Sequence, residues 1–523
     1  MSKQSIATAL PISKRIAIRT YSLSLVIFIL IVILFVALRF WKITSFSLWG
    51  GEAFTMIGVK QTWKGMFSYV IADIVHPPLF YILLKLWIGL GGESLLWLKL
   101  FPVLIGIALV VPFYFLCREL NIQWPEMCLA LFLAAFNGYM IHYAQELRMY
   151  SLFTFLSMCS FWLFMRYFRM PGRATRELLW LTLVNFMAIY SHYYGWVVAG
   201  MELLFLLIWQ RRKLLGFGLS MAVLLLAFAP WAYLVIREAQ SIGGLGQNLD
   251  WIPKPDVADV LNFYSTLNGP FGSRYIKSLG LILFGLPMVL WFWKIIRSGS
   301  KNWRGEAILF SWLVLLSFLP VIAIYFISQR TEQALWIDRY FIFLALPYLL
   351  LVAVAVNRLE QKWLRYLWIG LIVLWSLYAG LRDLTTNRMA WEGAQMGSRV
   401  RWDLMSQQLI EAEAENSEPV TIYTLTVISK GLRTGDWAIS TSIDYFLDSY
   451  GEGGFKFVYA RDIQTLLKKS KQEDHFWIAF FELEAWPQIS PRRKLEEGGY
   501  RVGDAIVFQQ LSNSVVLLPV WRK

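Results

Sequence analysis

The chain has few charged side chains, and this shortage decides the class of protein. Of its 523 residues, 16% are Asp, Glu, Lys or Arg, whereas 57% are hydrophobic. Soluble domains usually carry roughly 25% charged residues, so the composition excludes a chain that folds entirely in water. It indicates an integral membrane protein, with lipid as the solvent around most of its length.

Cysteine and acidic residues are scarce as well. The three cysteines lie in apolar runs, without the spacing of a metal site or of a disulfide framework. Basic residues outnumber acidic ones by 49 to 35, but they stand in short clusters between apolar runs. That distribution is typical of membrane topology, so we expect no nucleic-acid partner.

Apolar runs predict the number of membrane spans. The first run, 21–40, follows four basic residues and is longer than the core of a signal peptide, so we predict a retained span with a cytoplasmic N-terminus. Ten further runs bring the prediction to about eleven transmembrane helices: 97–117, 127–141, 151–165, 178–190, 195–209, 214–236, 278–293, 307–327, 341–356 and 367–381.

The distribution of charge decides whether one more apolar run, 77–90, crosses the membrane. If it does not cross, the basic clusters near Arg118, Arg166, Arg212, Lys294 and Lys362 all lie on the side of the N-terminus, as the positive-inside rule requires. If it crossed, most of them would move to the other side. We therefore predict an amphipathic or re-entrant helix at the outer surface.

The predicted fold is an all-α polytopic membrane protein, residues 1–382, with a large first outer loop, 41–97, that carries surface helices. Residues 383–523 are more charged, and their period-2 stretches alternate with helical patterns. We predict a small extracytoplasmic α/β domain there, a structural or acceptor-docking cap. Its predicted strands lie at 455–459, 475–480 and 505–508, and its predicted helices at 402–414 and 462–469.

On this topology, the polar residues at the membrane edge gather on the outer side, where such groups tend to mark function. They are Glu52, Asp73, His76, His142, Glu146, Arg148, His192, Arg330, Glu332, Asp338 and Arg339. Each of these residues also has a purely structural explanation. The histidines suit an interfacial aromatic belt, and Glu146 can pair with Arg148. Arg330 and Arg339 can anchor helix ends, and Asp73 suits a turn.

The set as a whole fits one kind of chemistry. Arg and His bind phosphate through charge-assisted hydrogen bonds, and a nearby carboxylate can take a proton from an incoming hydroxyl or amine. Together they indicate transfer of a group whose leaving group is a lipid-anchored phosphate.

The order of motifs carries a resemblance to a known family. Leu48-Trp49-Gly50-Gly51-Glu52-Ala53 is followed by His76-Pro77-Pro78-Leu79-Phe80-Tyr81, Tyr143 to Tyr150, Tyr190 to Tyr194, and Asp338-Arg339-Tyr340 before Leu346-Pro347. This order resembles the GT-C membrane glycosyltransferases, in the bacterial branch similar to protein O-mannosyltransferases and the aminoarabinose transferase of lipid A. It covers roughly residues 39–356.

The resemblance implies an inverting glycosyltransferase of the plasma (inner) membrane. It would transfer a sugar from a polyprenyl-phosphate donor to a lipid, glycan or protein acceptor at the outer face. Carried over by position, Glu52 and Glu146 would be catalytic, and His76 and Arg339 would face the donor phosphate. Arg148, in the second acidic loop, and Arg330 are predicted to bind the phosphate as further outer cations. Tyr81, Tyr150, His192 and Tyr193 are the predicted substrate-binding residues. No metal ligands or cofactors are predicted, although a divalent cation beside the phosphate stays open.

The chain departs from the family at one position. The first-loop acidic pair of the family begins with Asp, usually taken as the general base, and Gly51 stands there in this chain. Glu52 or Glu146 would then supply the base, or the protein is a catalytically weakened relative that binds the donor. The second reading predicts that Gly51→Asp raises turnover. A lipid-linked sugar transporter or flippase is the remaining alternative, although the polar residues are one-sided and no internal repeat is visible.

Overall fold

The computed structural model describes residues 12–172, 174–241, 252–269, 273–297, 303–385, 400–414, 419–425, 427–429, 432–434, 436–452, 454–483, 491–510 and 513–523. The helices before residue 386 are α1 (Ile12–Phe40), α2 (Gly50–Lys60), α3 (Trp63–Asp73), α4 (Leu79–Gly91), α5 (Leu95–Ala108), α6 (Val110–Glu119), α7 (Trp124–Phe136), α8 (Gly138–Gln145), α9 (Tyr150–Arg169), α10 (Thr175–Ser191), α11 (Gly195–Trp209), α12 (Leu214–Ser241), α13 (Val257–Leu267), α14 (Arg274–Arg297), α15 (Trp303–Arg330), α16 (Ala345–Asn357) and α17 (Lys362–Thr385). Two 3₁₀ turns, Arg211–Lys213 and Asp338–Leu344, precede α12 and α16.

Helix length decides which segments can cross a bilayer. Among the described residues, eight helical segments are long and apolar enough to span, and α7 with α8, bent by 64°, makes a ninth if the pair is one span. Helices α10 and α11 have 17 and 15 residues, fewer than the ~20 that a straight crossing needs. The protein is a multi-pass membrane protein, and the count of eleven spans stays a prediction.

The first loop is helical, as predicted. Helices α2, α3 and α4 fill it, and α4 covers the apolar run 77–90 with 13 residues, too few to cross the hydrocarbon. Pro77 and Pro78 precede this helix, where a missing N–H costs little because the first helical N–H groups lack partners anyway. The loop therefore folds back along one end of the bundle.

Ion pairs join the loops at the opposite end of the bundle. Arg358, after α16, pairs with Glu126 of α7 and with Glu306 of α15, the latter at 3.1 Å between Nε and Oε2. Arg166 of α9 lies 3.7 Å from Glu177 of α10. These contacts tie together loops that the charge pattern assigns to one side. Which side faces the cytoplasm stays a prediction.

The C-terminal domain is a small mixed α/β domain, which confirms the predicted fold of this part, whereas its extracytoplasmic location stays a prediction. Its helices are α18 (Trp402–Ala412), α19 (Asp436–Ser449), α20 (Ile463–Lys469) and α21 (Pro491–Glu497), and its strands are β1 (Val420–Leu425), β2 (Val427–Ser429), β3 (Leu432–Thr434), β4 (Phe455–Ala460), β5 (His475–Leu483), β6 (Tyr500–Val502), β7 (Ile506–Gln510) and β8 (Asn513–Arg522). The main sheet has the order β4-β1-β5-β8-β6, and β7 also pairs with β8. Strand β1 is parallel to β4 and β5, whereas β8 is antiparallel to β5.

The first loop and the C-terminal domain are packed against each other. The Trp49 side chain, 7% exposed, lies in the domain's hydrophobic core with Val400, Trp402 and Ile422. The Ser47 hydroxyl donates to the Val400 carbonyl at 3.1 Å, and α19 packs on α2. A cavity of about 310 Å³ remains between them, lined by Phe54, Ile57, Tyr69, Ser440, Thr441, Asp444 and Phe457.

Candidate active site

Five chain segments meet at the first-loop end of the bundle. They are the start of α2, the turn between α3 and α4, the turn after α8, the turn between α10 and α11, and the turn before α16. Each is a helix end, where backbone groups lack helical partners and side chains can face a common centre. The sequence motifs therefore converge although they lie up to almost 300 residues apart in the chain.

Glu52 is buried, 1% exposed, and both of its carboxylate oxygens are engaged. Oε2 accepts the Trp49 backbone N–H at 3.2 Å, so the carboxylate caps the N-terminus of α2, where the helix dipole favours negative charge. Oε1 accepts the Leu147 N–H at 2.6 Å and an ammonium hydrogen of Lys99. Glu52 thus ties the first loop to the turn that carries Glu146.

Lys99 is a residue that the sequence reasoning missed. It lies in the apolar helix α5 and is 7% exposed, and its ammonium group pairs with Glu52. A lone cation inside an apolar run is expensive and tends to have a specific partner. That signal was present in the run 97–117, and it could have identified Lys99.

Glu146 differs from Glu52 because one of its oxygens, here called the open oxygen, accepts no hydrogen bond within the described part of the chain. Oε1 accepts the Trp49 indole N–H at 3.1 Å. Oε2 is buried and accepts no hydrogen bond from any residue that the structure describes, with His142 Nε2 at 3.9 Å. Burial, followed by the nearby charge of Glu52, raises the pKa of Glu146 to about 7, against the opposing charges of Arg339, Arg148 and Lys99. Such a carboxyl group is poised to exchange a proton near neutral pH.

Asp73, His76 and Arg148 form a hydrogen-bonded chain. Arg148 can only donate, so its Nη2, at 2.9 Å, makes His76 Nε2 the acceptor and leaves the ring proton on Nδ1. Nδ1 lies 2.5 Å from Asp73 Oδ2 and donates to it. Burial is the main cause that lowers the pKa of His76, and the charges of Arg148 and Arg339 add to it, although Asp73 opposes them. The imidazole is therefore neutral.

Arg148 is fixed on the first loop by further bonds. Its Nη1 donates to the Gly51 carbonyl at 3.0 Å and to the Thr55 hydroxyl at 2.8 Å. With both nitrogens of His76 engaged inside the protein, the imidazole orients Arg148. Asp73, for which the sequence also suggested a turn, and Thr55, which the sequence reasoning did not name, complete this chain.

The two other predicted phosphate-binding arginines are placed differently. Arg339, at the start of the 3₁₀ turn Asp338–Leu344, acts electrostatically on Glu146, His76 and His192. Arg330 is exposed at the end of α15, and its side chain makes no ion pair with the cluster within the described residues. The structure brings Arg339 into the site and leaves Arg330 apart.

The four predicted substrate-binding residues have aromatic rings and lie around the charged cluster. Tyr81 and Tyr150 are buried, and both lie near Arg148. His192 stacks on Phe153 with ring centroids 4.9 Å apart. Tyr193 is half-buried, and its hydroxyl donates to the Ile74 carbonyl at 3.2 Å. Their role in substrate binding stays a prediction.

No cluster of three or more His, Cys, Asp or Glu side chains suited to a metal ion occurs among the described residues. At the site, the position that would offer a second carboxylate beside Glu52 is Gly51, and Lys99 occupies one oxygen of Glu52. The donor set is therefore poor for a divalent cation, which prefers several oxygen ligands.

The bundle, the helical first loop and the buried charged cluster at one end belong to a multi-pass membrane protein, and comparison with solved structures shows that its fold is that of GT-C membrane glycosyltransferases. Neither a protein-family model nor a curated protein sequence matches the chain. Solved structures, by contrast, are similar to the chain over most of its length. ArnT from Cupriavidus metallidurans, bound to undecaprenyl phosphate, has a TM-score of 0.51 at 12% identity, over 94% of this chain and 97% of ArnT.

The oligosaccharyltransferase AglB from Archaeoglobus fulgidus is a second similar structure. In complex with an inhibitory peptide and a dolichol-phosphate, it has a TM-score of 0.53 at 13% identity, over 92% of this chain and 72% of AglB. At these identities the likeness shows the fold, and the fold predicted from the motif order is thereby confirmed.

Proposed function

We propose that this protein is a glycosyltransferase that moves a sugar from a polyprenyl-phosphate donor to a hydroxyl or amine of a lipid, glycan or protein acceptor. The observation that carries the proposal is the state of Glu146, buried with one open oxygen beside two arginines. The likeness to two proteins whose structures hold undecaprenyl phosphate or a dolichol-phosphate supports the choice of donor. We place this end of the bundle at the outer face of the plasma (inner) membrane.

The reaction that fits this geometry is a single displacement with inversion. The acceptor gives its proton to the open oxygen of Glu146 and attacks the anomeric carbon from the side opposite the phosphate. The bond between that carbon and the phosphate oxygen breaks, and polyprenyl phosphate leaves with the electron pair. Arg339 and Arg148 stabilise the negative charge that develops on the phosphate. Asp73 and His76 keep Arg148 in place.

The test is a transfer assay with purified protein. A labelled polyprenyl-phosphate sugar is supplied with acceptor extracts, and both a new glycosidic bond and free polyprenyl phosphate are measured. The proposal requires both products to appear together. Movement of the labelled lipid across vesicles without either product would instead support a flippase. Mass spectrometry of glycans and glycolipids, with and without the gene, identifies the sugar and the acceptor.

The pKa of Glu146 predicts the pH dependence of transfer. A general base acts in its ionised form, and a carboxyl group with a pKa of about 7 is mostly protonated at pH 6. We expect kcat/KM, which reports ionisation in the free enzyme, to rise roughly tenfold between pH 6 and pH 8, with a midpoint near 7. Initial rates across this range at donor concentrations well below KM give the profile. A rate that is flat or that falls as the pH rises through 7 would contradict Glu146 as the base.

Removal of divalent cations should leave transfer unchanged. Lys99 neutralises Glu52, and Gly51 offers no carboxylate, so the positive charge at the site comes from arginine side chains. We expect less than about a twofold change in kcat/KM after treatment with EDTA, because charge-assisted bonds to Arg replace a metal's role at the phosphate. A complete loss, reversed by Mg²⁺ or Mn²⁺ but not by Na⁺, would show that a metal binds after all.

A further inference from the structure

The space beside Gly51 is filled by the indole of Trp49. A Cβ atom at position 51 would lie 2.7 Å from Trp49 Cζ2 and 2.9 Å from Trp49 Cη2. Real Cβ atoms do not approach other carbons so closely, so any larger residue at 51 must displace the ring. Gly51 is therefore required by the ring, since as the second residue of α2 it has no left-handed backbone conformation that would itself call for glycine.

Three contacts hold Trp49 where it is. The ring packs in the hydrophobic core of the C-terminal domain, with Val400 and Trp402. Its N–H donates to Glu146 Oε1 at 3.1 Å, and the Trp49 backbone N–H donates to Glu52 Oε2 at 3.2 Å. A single residue thus contacts both candidate carboxylates and the C-terminal domain.

We propose that Trp49 is the positioning residue that makes Glu146 the base, because its indole takes the space of a side chain at position 51 and binds one Glu146 oxygen while the other stays open. This inference rests on the proposed function. It explains how a chain with glycine at position 51 keeps a usable carboxylate: the carboxylate comes from the turn after α8 and is held by a group from the first loop.

The inference reverses one expectation drawn from the sequence. Asp at position 51 would not restore a missing base, because its Cβ alone would push the indole away from Glu146. Gly51→Asp should therefore lower turnover. The C-terminal domain also gains a role, since its core fixes the ring that binds Glu146.

The first experiment removes the indole N–H and keeps an aromatic ring. A hydrogen bond to a carboxylate favours its charged form, so its loss raises the pKa of Glu146. In Trp49→Phe we expect the midpoint of the pH–rate profile to move up by about one unit, as loss of one charge-assisted bond predicts, and kcat/KM at pH 7 to fall by roughly fivefold because less of Glu146 is ionised. An unchanged midpoint would overturn the inference.

The second experiment tests the steric part with a double-mutant cycle. Gly51→Ala should lower kcat by about tenfold or more, whereas Gly89→Ala, a helical glycine of α4 whose Cβ would meet no atom within 4 Å, should change it less than twofold. Phe lacks the two indole carbons that approach position 51, so Gly51→Ala should cost less than about threefold in the Trp49→Phe background. Equal costs in both backgrounds would show that the ring is not the obstacle.

A third measurement separates this inference from the proposed function. Thermal unfolding of Trp49→Phe, Glu146→Gln and the double variant reports the contact between the two residues without any transfer reaction. If wild-type protein transfers no sugar but the two substitutions are coupled in unfolding, the function fails while the contact stands. If transfer occurs and the substitutions are additive in unfolding and in the pH profile, the positioning role fails.

Discussion

Replacing Glu146 by Gln should lower the kcat of sugar transfer by about 10²- to 10⁴-fold, the range expected when a general base is lost. The amide keeps an oxygen that can accept the Trp49 indole N–H, so the turn after α8 should keep its shape. The amide has no lone pair basic enough to take the acceptor proton near neutral pH. We therefore expect the pH-dependent rise of the rate to disappear together with the activity, while binding of the lipid donor changes little.

A matched control for this variant is another buried carboxyl group outside the site. Glu202 of α11 accepts hydrogen bonds from the Ser160 hydroxyl and the Asn185 amide, and Gln can replace it because a serine hydroxyl can also accept from the new amide. Glu202→Gln should retain transfer to within about twofold, since it changes no group at the site. If Glu146→Gln is as active as Glu202→Gln, Glu146 is not the base.

Replacing Arg339 by Ala should weaken use of the lipid donor by about 10²-fold in kcat/KM, as expected for a lost charge-assisted contact to phosphate. The same loss removes a positive charge that lowers the pKa of Glu146, so the midpoint of the pH–rate profile should also move upward. Arg339→Lys should recover part of the rate, because it restores the charge without the planar guanidinium fork. Initial rates over a range of donor concentrations separate the effects on KM and kcat.

Arg330 is the matched control for Arg339. It lies only nine positions earlier in the sequence and is exposed at the end of α15. Arg330→Ala should change kcat/KM by less than about twofold, as is usual for an exposed side chain. Similar losses in the two variants would mean that the arginines act through the general charge of this face, which would contradict a specific phosphate contact at Arg339.

Much of the architecture could be predicted from the sequence because apolar runs and period-2 stretches depend on local pattern. The strands β4, β5 and β7 and the helices α18 and α20 fall where the pattern placed them. The all-parallel core of the sheet around β1 was missed, since a strand buried on both faces shows no alternation. Helices α10 and α11 lie where apolar runs predicted spans, but with 17 and 15 residues they are shorter than a straight crossing needs, because an apolar run does not fix the length of its helix.

The sequence predicted the site residues as a group, but not which of them bond to each other. The predicted topology places Glu52, His76, Glu146 and Arg339 on one side of the bundle, and the structure brings them together there. The partners within the set depend on packing between segments that are far apart in the chain, which no local pattern encodes. The bonds from Lys99 to Glu52 and from Trp49 to Glu146 are of this kind.

Those two bonds also divide the roles of the acidic residues. Burying a carboxylate is costly unless it is paired or hydrogen-bonded, and Glu52 meets that requirement with Lys99 and two backbone N–H groups. Glu146 meets it only in part, and burial shifts its pKa to about 7. The sequence alone did not distinguish Glu52 from Glu146 as the candidate general base. The hydrogen bonds that each carboxylate accepts favour Glu146.

The most direct measurement is an experimental structure of the protein with undecaprenyl phosphate bound. The account predicts density for the phosphate within hydrogen-bond reach of Arg339, at the end of the bundle where the open oxygen of Glu146 lies, with the lipid chain running between the membrane helices. A phosphate bound at the opposite end, near Arg358 and Glu126, or bound at the same end with Arg339 turned away from it, would contradict the account.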